Sequence, residues 1–171
     1  LDNYSYILVD RTSEDILTCC IVDPGDADAV LEALAELREQ HYDRTSTGVR
    51  VESILVTHKH WDHQAGVRKL MRIENITKVF AGENEPVKGV THKLAPYERF
   101  SMGSLVLEAV PSPCHTRGHT MFALLDAEER RVEALFSGDT LFCGGCGAPF
   151  EGPAEHVAYN FRALYHRCDD T

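Results

Sequence analysis

Apolar and polar positions alternate in YSYILVD (4–10), which predicts a strand, and DILTCCIVD (15–23) is a second strand-like run closed by Pro24 and Gly25. The period then changes. Asp26 is placed to cap a helix over 27–39, with Val30, Leu34 and Leu37 on one face, Asp28 in the first turn and Arg38 in the last. RTSTG (44–48) predicts a loop, and VESILVT (51–57) a buried strand that delivers the chain to His58. A helix follows from His63 to Arg72, with Val67, Leu70 and Met71 facing inward. ITKVFAG (76–82) predicts another strand, and ENEPVKG a turn. RFSMGSLVLEAVPSP (99–113) reads as two strands meeting at Gly103. HTMFALLD (119–126) and RVEALFSGD (131–139) form a hairpin pattern around AEER. Gly and Pro crowd 144–153, and a last helix covers 154–167. This order points to sheets covered by helices rather than to strict βαβ alternation.

Length and composition fit one soluble domain. The 171 residues are 43% hydrophobic and 26% charged, enough to bury a real core. No apolar run approaches the ~20 residues of a membrane span, and no basic-then-apolar leader opens the chain. The expected location is cytoplasmic, with mitochondria as the alternative. The first residue is Leu1, inside a strand-like pattern, so the chain reads as a single domain over 1–171 trimmed at both ends. A net charge of −10 repels phosphate backbones and anionic lipid, which argues against nucleic acid and membrane partners. Small anionic substrates stay open, because a local patch or a cation overrides the mean field. Six cysteines at irregular spacing (19, 20, 114, 143, 146 and 168), with no secretory signal, read as reduced thiols. Cys143 and Cys146 form a C-x-x-C without a second such pair, so a zinc knuckle or redox site there is the minor reading. The NIT sequon at Asn75 carries no meaning without a secretory route.

One stretch departs from this ordinary background. VTHKHWDHQAG (56–66) places His58, His60, Asp62 and His63 within six positions after a buried strand. Residues two apart in an extended segment point the same way, so His58 and His60 can aim at one point. Asp62 and His63 follow as the chain turns and can serve a second point nearby. Imidazole and carboxylate suit Zn²⁺ and tolerate Fe or Mn. His115 in PSPCHTRGH and Asp139 in FSGDTLF also end strand-like runs, and a carboxylate has two oxygens with which to bridge two cations. His41, His92, His156 and His166 read as packing or surface residues. His119 is open between ligand and strand start or supporting residue, the latter preferred. Asp23 in VDPG either orients a ligand imidazole or begins a turn.

THKHWDH resembles the H-x-H-x-D-H signature of the metallo-β-lactamase superfamily. PCHTRGH, FSGDTLFCGGCG and FEG, with LDNYSY, VDPGD and VTHKL, are similar to the glyoxalase II branch, the hydroxyacylglutathione hydrolases. The resemblance implies an α+β fold, an αββα sandwich with a binuclear metal site at one edge. It implies that His58, His60 and His115 hold one ion, that Asp62 and His63 hold a second, and that Asp139 bridges. Asp62 and Asp139 are then the candidate catalytic residues. The branch's seventh ligand, a His in a GHEY-type motif, would follow beyond RCDDT, and the branch's C-terminal helical region is not in this sequence. In the substrate loop CGAPFEG, Ala148 stands where the branch commonly has Lys, and Phe150 at the aromatic position; Arg117 is the cation that could supply charge there. Phe150 and Arg117 are therefore the candidate substrate contacts.

The implied reaction is hydrolysis of the thioester of an S-2-hydroxyacyl thiol such as S-lactoylglutathione, with glutathione or a related thiol as carrier. A water shared by two zinc ions loses a proton near neutral pH and becomes the nucleophile. The alternatives are an iron-dependent persulfide dioxygenase of the same superfamily and a metal-binding scaffold without turnover. Dioxygenase relatives usually carry Gly where Cys114 stands and lack the DTLFCGGCG form; Cys114 itself reads as packing.

Overall fold

The computed structural model describes residues 3–12, 16–42, 48–128 and 130–168. The predicted loop at 44–48 lies outside them apart from Gly48, as do Asp15, Glu129, residues 169–171 and the side chains of His166 and Cys168.

Two sheets stack face to face. The first has the order β1 (Tyr6–Asp10), β2 (Ile16–Val22), β3 (Gly48–Leu55), β4 (Lys78–Gly82), β5 (His92–Leu94). Its β1–β2 pair is antiparallel and the remaining pairs are parallel. The second sheet is fully antiparallel: β6 (Arg99–Met102), β7 (Leu105–Pro111), β8 (Thr120–Leu125), β9 (Val132–Phe136). The helices are α1 (Ala27–Tyr42), α2 (Trp61–Gln64), α3 (Val67–Ile73) and α4 (Ala154–Cys168).

Strand alternation sorts the core into three layers. Cys20 and Val22 of β2, with Leu55 of β3 and Phe80 of β4, face the second sheet and pack with its Met102, Leu107, Phe122 and Leu124. Ile21, between them, faces the other way and packs with Val30 and Leu34 of α1 and Val67 and Leu70 of α3. On the far side of the second sheet, Met121, Ala123 and Leu125 pack against Leu164 of α4. The central strands are covered on both faces, so they read as nearly continuous apolar runs. The result is helix, sheet, sheet, helix, the expected αββα sandwich.

Local signals explain the boundaries. Asp26 Oδ1 accepts the backbone N–H of Asp28 (2.9 Å) and of Ala29 (3.3 Å), so it caps α1 as expected. That helix runs three residues past the predicted end at 39, through positions with no apolar periodicity to mark them. The single helix expected over 63–72 is instead two, α2 and α3, broken at Ala65 and Gly66. Gly66 N–H donates to the Pro24 carbonyl (2.8 Å), and a Cβ on Gly66 would stand 2.7 Å from that oxygen. A tertiary contact thus overrides the helical period. The predicted strand over 131–139 ends at Phe136, because Gly138 takes a left-handed φ of 49° and opens a 3₁₀ turn over Gly138–Thr140. Further differences are small: β3 runs Gly48–Leu55 rather than 51–57, β4 starts at Lys78 rather than 76, and the short edge strand β5 has no counterpart in the prediction.

Candidate metal centre

The C-terminal ends of β2, β3, β7 and β9 lead to one edge of the sandwich. They carry Asp23, the His58–His63 segment, His115 and Asp139 respectively. There the side chains form two groups of mutually close donors that share one residue: His58, His60 and His115, and His58, His63 and Asp139. In the first, His60 Nδ1 lies 3.0 Å from His58 Nε2 and 2.8 Å from His115 Nε2. In the second, His63 Nε2 lies 3.1 Å from Asp139 Oδ1. The other Asp139 oxygen, Oδ2, lies 3.2 Å from His115 Nε2, so this carboxylate spans both groups. Asp62 approaches from the open side, with Oδ2 3.6 Å from His63 Nε2.

Hydrogen-bond partners fix which ring nitrogens carry protons. His115 Nδ1 lies 2.8 Å from the Ala148 carbonyl, which only accepts, so that nitrogen bears the proton and Nε2 presents a bare lone pair. Thr57 Oγ1 donates to Asp23 Oδ2 (2.7 Å) and therefore accepts from His58 Nδ1 (3.1 Å), leaving His58 Nε2 bare as well. Two bare lone pairs thus face His60 Nδ1. Burial, and then the neighbouring imidazoles, push His58 far below the usual imidazole range, and His60 is lowered by burial and by His115. Neutral nitrogens facing one another at these distances suit a cation held between them. The donor set of three imidazoles fits zinc, and the two-imidazole, one-carboxylate set fits ferrous iron.

The second group is more strongly charged. Burial disfavours a charged His63, but hydrogen bonds to Asp139 and Asp23 outweigh it and raise the ring to about 10. Burial likewise pushes Asp139 upward, and the His63 contact outweighs it, holding the carboxyl below its ordinary range. Asp23 contacts this group through His63. Its left-handed backbone (φ 49°) begins the turn into α1, and Oδ2 accepts from His63 Nδ1 at 2.9 Å.

His119 supports the centre rather than joining it. The Asp139 N–H donates to its Nε2 (3.1 Å), and its Nδ1 meets Ser112 Oγ (2.7 Å). Both ring nitrogens are engaged, and burial lowers the ring to about 3, which keeps it neutral. Ser112, Thr140 and the Ala148 carbonyl carried no signal in the sequence. Thr140 Oγ1 donates to Ser112 Oγ (2.8 Å), completing a buried chain under Asp139. Phe150 is 70% exposed, yet its ring centroid lies 5.2 Å from that of His115 and 6.0 Å from that of His60. Arg117 does not converge on the donors; it lines a cleft of about 560 Å3 with Lys59, Phe150 and Glu151. Cys114 is buried against the Pro153 carbonyl. Cys143 and Cys146 are exposed on a tight turn closed by a Phe142–Gly145 bridge, and neither belongs to a donor group among the described residues.

Comparison with known proteins agrees with this architecture. The Metallo-beta-lactamase superfamily profile matches residues 5–156. The chain is 34% identical over 166 residues to a hydroxyacylglutathione hydrolase of Dictyostelium discoideum, covering 96% of this chain and 56% of that protein. Among solved structures it is similar to ETHE1 from Myxococcus xanthus (TM-score 0.74, 22% identity, 95% of this chain and 65% of that one). It is also similar to a metallo-beta-lactamase from Staphylococcus aureus subsp. aureus COL (TM-score 0.68, 20% identity, 94% and 51%). The chain therefore spans a little over half the length of its hydrolase relative, and no helix among its described residues is long and apolar enough to cross a membrane. On its profile match, its sequence relative and its fold, the chain belongs to the metallo-β-lactamase superfamily.

Proposed function

We propose that this chain carries the metal centre of a metal-dependent hydrolase or dioxygenase that acts on a small thiol-derived substrate. The carrying observation is the pair of three-donor groups that share His58. His58, His60 and His115 would hold one ion; His63 and Asp62 would hold the other, with Asp139 reaching both. Bound cations there would polarise a substrate oxygen and activate water or dioxygen. Asp23 accepts from His63 Nδ1 directly and reaches His58 Nδ1 through Thr57, and so turns the Nε2 atoms of both imidazoles toward the donor groups. His119 fixes the backbone of Asp139, and the Ala148 carbonyl orients His115. Phe150 would cover the centre and shield the reacting group from water, while Arg117 and Lys59 line the cleft through which a substrate would enter.

Two finer readings each have an observation in their favour. Thioester hydrolysis with two zinc ions and glutathione as carrier is favoured by the sequence relative and by the presence of two donor groups. Oxygen-dependent persulfide chemistry at one iron is favoured by the group His58, His63 and Asp139, a two-His, one-carboxylate set of the kind that non-haem iron oxygenases use. A third outcome is metal binding without turnover. The test is to load the chain separately with zinc and with ferrous iron. Release of free thiol from S-lactoylglutathione and oxygen uptake with glutathione persulfide are then measured. Thiol release by the zinc form supports the first reading, and oxygen uptake by the iron form supports the second. A metal-loaded chain inert in both assays contradicts the enzyme proposal.

A further inference from the structure

Glu85 lies in the turn after β4, outside every motif considered above. It is 1% exposed, and a carboxylate so buried normally answers a structural or chemical demand. Its Oε1 accepts the Lys59 N–H at 2.7 Å and the Thr116 hydroxyl at 2.9 Å. Lys59 sits between His58 and His60, and Thr116 directly follows His115. One oxygen therefore joins two segments that are far apart in sequence and that supply all three imidazoles of the first donor group. Its other oxygen, Oε2, is buried with no hydrogen-bond partner among the described residues. Gly118 leaves room for that oxygen: a Cβ there would stand 2.5 Å from it. A second carboxylate repeats the link nearer the surface, where Glu151 takes Lys59 Nζ at 2.5 Å and the Arg117 N–H at 3.0 Å.

We propose that Glu85 is a positioning residue of the metal centre, whose single oxygen fastens the His58–His60 segment to the His115 segment and so sets the spacing of the three imidazoles. This rests on the reading of His58, His60 and His115 as ligands. Both linked segments are loops rather than strands, and the inter-sheet hydrogen bond from Thr120 N–H to the Thr57 carbonyl (3.0 Å) lies on the strand side of the three histidines. Without Glu85, the Lys59 amide and the Thr116 hydroxyl would each seek another acceptor, and His60 would be free to drift from His115.

The test is titration of the 171-residue chain with zinc and, separately, with cobalt(II), whose visible spectrum reports the donor set and its geometry. A wild-type chain that binds neither ion contradicts the ligand reading, and this inference falls with it. Given a wild-type site, Glu85→Ala is expected to weaken the tighter zinc about tenfold to a hundredfold, the range for residues that orient metal ligands, and to alter the cobalt spectrum. Glu85→Gln keeps an oxygen for both donors and is expected to stay within about threefold of wild type, by the same reasoning. Wild-type affinity and spectrum in Glu85→Ala overturn the inference, as does an equal loss in both variants. If Glu85→Ala does not fold, Thr116→Val removes one donor alone. Weaker zinc binding at an unchanged melting temperature then supports the inference, and unchanged binding overturns it.

Discussion

His63 Nδ1 lies 2.9 Å from Asp23 Oδ2, and both side chains are almost fully buried. The same oxygen accepts the Thr57 hydroxyl, and Thr57 in turn meets His58 Nδ1. One carboxylate thus orients a histidine in each donor group. Asparagine at this position keeps one acceptor oxygen but places N–H groups against donors. Asp23→Asn is expected to weaken binding of both ions by about tenfold or more while leaving the chain folded. Zinc titration of the variant checks this, and wild-type affinity would contradict it.

The turn into α1 rests directly on α2. A Cβ on Gly25 would stand 1.9 Å from the Asp62 carbonyl oxygen, a backbone atom with nowhere to move. Gly25→Ala should destabilise the chain by roughly 1–3 kcal/mol or more, as overpacking does, and should displace Asp62 from His63. A melting curve measures the first effect and metal stoichiometry the second. A fully stable variant with wild-type metal content would count against the packing described.

Asp10 ties the end of β1 to the β6–β7 turn, away from the metal centre. Its oxygens accept the Ser104 N–H (2.6 Å), the Thr12 N–H (2.9 Å) and the Thr12 hydroxyl (2.7 Å). Burial alone would raise the carboxyl; these hydrogen bonds outweigh it and lower the group to about 2. The folded value lies below the unfolded one. The stabilisation is therefore complete above the ordinary carboxylate range and disappears as pH falls through the folded value. Asp10→Asn should cost roughly 2 kcal/mol at pH 7 and about half that at pH 3. Urea unfolding at the two pH values tests it, and a gap independent of pH would show that the charge is not responsible.

A cation held by two strand-end loops and the turn after β9 stabilises the folded chain by mass action. At a free zinc concentration about 100-fold above Kd, the gain is ~2.7 kcal/mol, or roughly 5–10 °C in Tm for a domain of this size. Stripping the ion with a chelator should lower the melting temperature by that amount and zinc should restore it. An unchanged melt in the presence of zinc, at concentrations where binding is shown, would contradict the site's location.

Much of this was legible in the chain itself. The strands that bury both faces announced themselves as apolar runs, and the histidine-rich segment stood out because its spacing matches no packing pattern. Its convergence with His115 and Asp139 could be guessed from strand ends alone. Other features had no local signal. The break at Gly66 depends on Pro24, some forty positions away, and the orienting group for His115 is the backbone carbonyl of Ala148, which any residue would supply. His119 could be read by type as ligand or, preferably, as a supporting residue; its partners, Asp139 N–H and Ser112, engage both its nitrogens. The strand predicted to run to 139 failed for a related reason, since the left-handed Gly138 turns Asp139 into the site.

The most direct measurement is the metal content of the chain after exposure to zinc or ferrous iron and dialysis, made side by side with His58→Ala. His58 offers one bare lone pair, to the ion it would share with His60 and His115, so its loss should empty that position. The wild-type chain is expected to retain one to two ions and His58→Ala fewer than wild type. A wild-type chain that retains no metal, or a His58→Ala variant that retains as much as wild type, would contradict the assignment of this edge of the sandwich as a metal centre.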